Sequence, residues 1–141
     1  MHDELEPFRY TGHLIRRAEQ RHVAAWQAHS PDMSNVQFAA LAVITRLPGA
    51  SQRELGDALD LDRSTIADLV RRLEASGLIT RTASTVDRRR FELNLTDAGR
   101  EQLERGRPIA LAIEEELFGE LTPEELSSFR RFLTTMLRLP A

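Results

Sequence analysis

The chain has 141 residues, of which 41% are apolar and 29% charged, with a formal net charge of −3 and no cysteine. That length builds one ordinary hydrophobic core without covalent staples. The missing cysteines exclude disulfides, thiol redox sensing, a cysteine nucleophile and thiolate metal ligation, and the acidic balance excludes a uniformly basic nucleic-acid coat.

The pattern is mostly helical. Residues 8–29 form a long first helix with Leu14, Ala18, His22, Ala25, Trp26 and His29 along one side, closed by Pro31. Acids precede any apolar stretch at the start and no run approaches the roughly 20 apolar residues of a membrane span, so neither a signal peptide nor a membrane helix is expected and a cytoplasmic location is the default. Ser34 caps a second helix whose residues 36–47 are apolar almost all round, predicting the most buried element; Pro48-Gly49 ends it. Ser51 and Glu54 form a capping box for a short third helix with Leu55, Ala58 and Leu59 inward. After a tight turn at 60–62, Asp62 caps a fourth helix over 63–76, which Gly77 ends. Its Ile66, Leu69, Val70 and Leu73 make one apolar stripe and leave Ser64, Thr65, Asp68, Arg71 and Arg72 off it.

Residues 78–84 and 91–95 alternate as strands, with Phe91, Leu93 and Leu95 predicted on one face, and the polar stretch between them makes a hairpin with an arginine-rich tip. Thr96 caps a long fifth helix, about 97–119, with Pro108 predicted to kink it; Thr122, Pro123 and Glu125 open a sixth, with Leu126, Phe129, Leu133, Met136 and Leu137 on its inner side. No repeat, low-complexity tract or linker divides residues 1–141, so one domain is expected.

Charge is concentrated. Residues 63–90 carry seven arginines against three acids, and the remainder twelve against nineteen, so a local excess of +4 sits in a body of −7. All nineteen cations are arginine, a planar fork suited to phosphates and base edges, although GC-rich coding is the plainer reason for the absence of lysine. A helix, tight turn, helix and arginine-tipped hairpin together describe a winged helix-turn-helix, mainly α with a small β wing. The fourth helix offers a polar face of a size that a major groove admits. Arg63, Ser64 and Thr65 lie at its N-terminus, where unpaired N–H groups favour phosphate. Arg88, Arg89 and Arg90 on a protruding loop suit an adjacent minor groove.

The ordered set SQRELGDALDLDRSTIADLVRRLEASGLITR (51–81) and DRRRFELNLTDAG (87–99) resembles the MarR family of bacterial transcription regulators, and the likeness extends over nearly the whole chain. In relatives Asp-Arg-Arg is followed, after a short strand, by Leu-Thr-x-x-Gly; here these are Asp87, Arg88, Arg89, Leu95, Thr96 and Gly99, with Arg90 where relatives often carry a small residue. The resemblance implies that Ser64, Thr65, Asp68 and Arg72 face the major groove, that Ser51 and Arg63 hold phosphates, and that Arg89 enters the minor groove with Arg88 and Arg90 near the backbone. Arg71 and Arg81 are either phosphate contacts or solvated charges, and Asp87 would brace an arginine and shape the wing. Asp68 either accepts from a cytosine amino group or pairs with Arg71 or Arg72 on its own helix, the second being the simpler.

A winged helix alone needs fewer residues than this chain has. In the family the helices at both ends, here about 8–29 and 97–138 around a winged core of about 34–96, interleave between two subunits. Ile113, Leu117, Phe129, Leu133 and Met136 are expected at that interface. Two recognition helices roughly 34–36 Å apart then read a pseudo-palindrome in double-stranded DNA. Relatives often release DNA on binding a phenolic or aromatic acid. Tyr10, His13, Arg16, Arg17, Trp26 and His29 combine aromatic and cationic groups that suit an aromatic carboxylate. Arg16 or Arg17 would anchor the acid and His13 hydrogen-bond it; interface packing explains the same residues without a ligand. The stretch YTGHLIRRAEQRH is similar to the first helix of family members that control aromatic-acid catabolism.

His22 and His29 share a face, but no HxxxH or HxxE spacing accompanies them, so neither a metal nor any other cofactor is expected. Nor is an enzyme, since no nucleophile–base set or Gly-rich phosphate loop is present. The competing readings are an effector-independent architectural DNA binder and a protein-interaction module. The latter has no use for three consecutive arginines at the wing tip.

Overall fold

A computed structural model describes residues 9–140. Their order is α1 (Thr11–His29), α2 (Asn35–Arg46), α3 (Gln52–Leu59), α4 (Arg63–Ala75), β1 (Ile79–Ala83), β2 (Phe91–Leu95), α5 (Asp97–Phe118) and α6 (Pro123–Met136). This is the expected mainly helical fold with a two-stranded wing. α1 starts at Thr11 rather than at residue 8, which lies outside the described residues.

The helix starts follow from local chemistry. Ser34, Ser51 and Thr122 each accept from the backbone N–H three residues on, and Gln37, Glu54 and Glu125 reach back to complete capping boxes. Asp62 and Thr96 cap α4 and α5 in the same way through Thr65 and Gly99. Such a cap contributes about 0.5–2 kcal/mol relative to alanine. α4 ends at a left-handed Gly77, φ +74°, which is costly for any residue with a Cβ.

α2 is the least exposed helix, with Ala40, Leu41 and Ile44 buried, and it packs against α3, α5 and β2. Around it the core gathers Leu55 of α3, the whole α4 stripe, Ile79, Leu93, and Leu103 and Ile113 of α5. The strands pair antiparallel from Ile79↔Leu95 to Ala83↔Phe91. Leu93 is fully buried and Leu95 half-buried, but Phe91 is exposed. Phe91 sits at the outer end of β2, beyond the body of the fold, and the Arg81 guanidinium covers its ring at 4.2 Å instead.

Two close approaches fix the hairpin. Ala50 and Leu93 form an isolated bridge, with Leu93 N–H donating to Ala50 O at 2.9 Å and Gly49 N–H to Leu93 O at 3.2 Å. At the other end, Thr96 N–H donates to Leu78 O, and a Cβ on Gly99 would lie 2.0 Å from that same oxygen. The glycine of the Leu-Thr-x-x-Gly motif is therefore a packing requirement of the α5 start against the wing base. α5 runs on through Pro108, and α6 buries none of its residues.

Candidate nucleic-acid interface

The helix-turn-helix is set by its turn. Asp60 closes α3 in the left-handed region, φ 51°, which aspartate tolerates better than most residues. Leu61 N–H donates to Gly56 O, and Ile66 packs 3.5 Å from where a Gly56 Cβ would stand, so α4 crosses α3 closely. Ile66, Leu69, Val70 and Leu73 face inward; Arg63, Ser64, Thr65, Arg71 and Arg72 are exposed. At the helix start the Asp62 carboxylate accepts from Thr65 N–H at 2.7 Å and from the Ser64 hydroxyl at 3.1 Å. Hydrogen bonds from Thr65 first, then Ser64, hold the Asp62 carboxyl below its ordinary range. Asp68 bridges both arginines of its helix, Arg71 at 3.2 Å and Arg72 at 3.0 Å. That pairing fixes both guanidinium groups along the exposed face.

The wing tip is ordered from within. The buried Ser84 hydroxyl accepts from Val86 and Asp87 N–H groups at 3.1 and 3.2 Å. The Asp87 carboxylate accepts from Arg89 N–H at 2.9 Å, so it shapes the wing through the backbone rather than through a guanidinium. Arg88 and Arg89 are exposed, and among the described residues neither side chain has an ion-pair partner. Arg90 differs: it is half-buried, pairs with Glu54 and donates to Gly49 O at 3.3 Å. Grooves of about 530 and 480 Å³ flank the start of α3, one toward Arg63 and the other toward Arg81 and Arg89, and Arg53 lines both.

The terminal helices present a different surface. Within this chain the six residues expected to hold an effector do not meet in one place. Trp26 is buried, tilted against Phe38 with ring centroids 5.2 Å apart, and its indole N–H donates to His22 at 3.2 Å. His29 bonds Glu116 of α5 at 2.7 Å. Tyr10, Arg16 and Arg17 are exposed and His13 half-buried, with Arg16 and His13 in contact at 3.3 Å. Ten residues of helix, about 15 Å, separate Arg16 from Trp26. Trp26, His22, Asn35, Phe38, Glu114 and Phe118 instead surround a small cavity of about 150 Å³.

Of the residues expected between subunits, Ile113 is buried in the core of its own chain, and Leu117 packs against that core. Phe129 and Leu133 are half-buried, Phe129 lying 5.7 Å from Phe118, and Met136 is exposed. Leu111, Phe132, Leu137 and Leu139 are also exposed.

A model of the MarR family matches residues 32–90. The transcriptional regulator HosA of Escherichia coli is 33% identical over 125 residues, covering 89% of this chain and 93% of HosA. The HTH-type transcriptional repressor NicR of Pseudomonas putida is 34% identical over 128 residues, covering 89% of this chain and 81% of NicR. Among solved structures, BpsR of Bordetella bronchiseptica, whose DNA binding is regulated by 6-hydroxynicotinic acid, superposes with a TM-score of 0.89 at 31% identity, covering 96% of this chain and 98% of BpsR. The chain belongs to the MarR family.

As a MarR-family regulator of transcription it is a DNA-binding winged-helix protein, a role that accounts for the exposed basic surface. Arg53 also lies on that surface, outside the basic segment 63–90. A usable signal was present: Arg53 is the second residue of a helix capped by Ser51, where side chains flank unpaired N–H groups. Glu54 was legible as a cap but not as a partner of the wing, and Phe38 and Asn35 around the small cavity had no local signal.

Proposed function

We propose that this chain is one subunit of a homodimeric, cytoplasmic repressor that leaves a pseudo-palindromic operator when a small aromatic carboxylic acid binds. The observation that carries the reading is the likeness to BpsR along 96% of the chain, since the DNA binding of BpsR is regulated by 6-hydroxynicotinic acid. NicR, of similar identity, is a repressor.

The residues support the DNA half of this reading. Ser64, Thr65, Arg72 and, through its pairing, Asp68 present a polar face for the major groove. Arg63 and Arg71 suit phosphates, whereas the Ser51 hydroxyl, expected at a phosphate, donates to Glu54 instead. Arg88 and Arg89 are cations without ion-pair partners among the described residues, on a wing shaped by Asp87, and arginine is favoured in narrow minor grooves. Dimerisation is supported by α6, none of whose residues is fully buried within the chain and whose Phe132 and Met136 are exposed. The effector half is supported by aromatic and polar groups on α1. Trp26 and His22 border a cavity, while Arg16, Arg17 and His13, with Tyr10, stand on the exposed N-terminal half, where a partner subunit would complete the site. His29 links α1 to α5, the other terminal helix, through Glu116.

The test is fluorescence anisotropy on the intergenic DNA beside the protein's own gene, with random DNA at the same salt, repeated with a panel of aromatic acids that includes 6-hydroxynicotinic acid. Tight operator binding reversed by one acid supports the proposal. Equal binding to both DNAs, indifferent to every acid, replaces it with an architectural DNA-binding protein, for which the salt dependence on random DNA is as steep as on operator.

A further inference from the structure

We propose that Arg90 is a positioning residue of the DNA face: it straps the wing to the start of α3 and sets where Arg88 and Arg89 meet DNA, without touching DNA itself. The inference rests on the reading that this face binds operator DNA, and departs from the expectation that Arg90, like Arg88, lies near the DNA backbone.

Arg90 is the last residue of the tip loop, and the loop's backbone closes on it. Its N–H donates to Asp87 O at 3.0 Å, and its carbonyl accepts from Ser84 N–H at 2.8 Å. Its side chain turns back toward the body. One terminal nitrogen donates to Gly49 O at 3.3 Å and to Glu54 Oε1. That same Glu54 oxygen accepts from the Ser51 hydroxyl at 3.0 Å. A single guanidinium thus joins the wing, the loop before α3 and the α3 capping box.

Geometry gives the strap its effect. The backbone bridge between Ala50 and Leu93 holds the wing three residues closer to the body, about 10 Å along an extended strand. That bridge and the Leu78–Thr96 closure both hold the base of the hairpin; the Arg90 contact adds a hold near the tip, where the loop could otherwise bend. Charge points the same way. Arg90 is neutralised by a carboxylate, whereas Arg88 and Arg89 have no ion pair among the described residues. Glu54, which already closes the α3 capping box, serves as the anchor of the strap as well. Bonds from Ser51, and then Arg90, also hold its carboxyl below the ordinary range, so it remains ionised at neutral pH. An exposed ion pair adds little to global stability, so its loss shows in the wing rather than in unfolding.

The experiment compares wild type, Arg90→Met, Glu54→Gln and the double variant. Gln at position 54 preserves a capping box while removing the charge. Hydrogen exchange of free protein is read over residues 84–94, with α4 as the internal control, and operator affinity is read by anisotropy. Each single variant is expected to exchange faster across 84–94 and to bind operator about 3- to 10-fold more weakly, with the double variant no weaker than the weaker single. Weaker binding by Glu54→Gln is the telling sign, since deleting an acid beside DNA otherwise strengthens binding. Unchanged exchange, tighter binding by Glu54→Gln as Arg90 is freed onto a phosphate, or losses that add in the double variant would overturn the strap. Wild-type protein that failed to prefer operator over random DNA would instead remove the repressor reading, while the exchange comparison would still decide the strap.

Discussion

The winged half and the terminal helices use apolar residues differently. In the winged half the stripe of α4, Leu55 and Leu93 are all buried within one chain, and the exposed surface is mostly polar or cationic, with Val36, Leu47, Val86 and Phe91 as apolar exceptions. In the terminal helices the buried apolar side chains are Ala25 and Trp26 on α1 and Leu103 and Ile113 on α5, while Leu14, Ile15, Leu111, Phe132, Met136 and Leu137 stay exposed. The contrast teaches that the winged half gathers its apolar stripes within one chain, whereas the terminal helices leave apolar side chains exposed that the proposed dimer would cover. Arg16, Arg17 and Tyr10 stand on the exposed part of α1, where the proposed effector site would be completed by a second subunit.

The largest effect should come from the self-contained half. Leu41→Ala removes a fully buried side chain at the centre of the winged core, and urea denaturation at fixed protein concentration should show a loss of about 2–5 kcal/mol. A loss below 1 kcal/mol would mean that the winged half owes its stability to the dimer instead.

Next is Leu133→Asp on α6, which leaves the DNA surface intact. Sedimentation should find a monomer, and operator affinity should fall by about 100-fold because the second half-site is lost. A monomer that still bound operator tightly would erase the distinction between the two halves.

Arg89→Ala should leave urea stability unchanged and cost about 1–3 kcal/mol in operator affinity. Dimerisation should be unaffected, and a shift in the monomer–dimer balance would place the wing in the wrong half of the comparison.

The smallest effect concerns acid. Asp62 and Glu54 both have carboxyl groups held below their unfolded values, so the stability they add is present above the ordinary carboxylate range. It is lost as pH falls through the lower, folded values. Asp62→Asn and Glu54→Gln should therefore flatten the decline of the melting temperature below about pH 4. Equal slopes in wild type and variants would show that other carboxylates govern acid unfolding.

Much of the fold was legible. Ser34, Ser51, Asp62, Thr96 and Thr122 were each readable as caps because a cap and its bond lie within one turn. The α4 stripe was readable because helical period alone assigns it a face. The same holds for Arg63, Ser64 and Thr65 at the start of that helix. Phe91 was placed on the inner face with Leu93 and Leu95, since alternation tells which side a residue points to and not where the supporting surface ends.

By itself the sequence determined the order of elements, the helix starts, the buried stripe of the fourth helix and the arginine-tipped hairpin, all properties of residues within a few positions of one another. Only the tertiary structure decided that Arg90 turns to Glu54, 36 residues away, that Arg53 stands between two grooves, and that Ile113 is enclosed by its own chain. The physical reason is one of range. Backbone hydrogen bonding and periodicity act over three or four residues, whereas the partner of a charge and the cover of an apolar face depend on which distant segment is packed beside it.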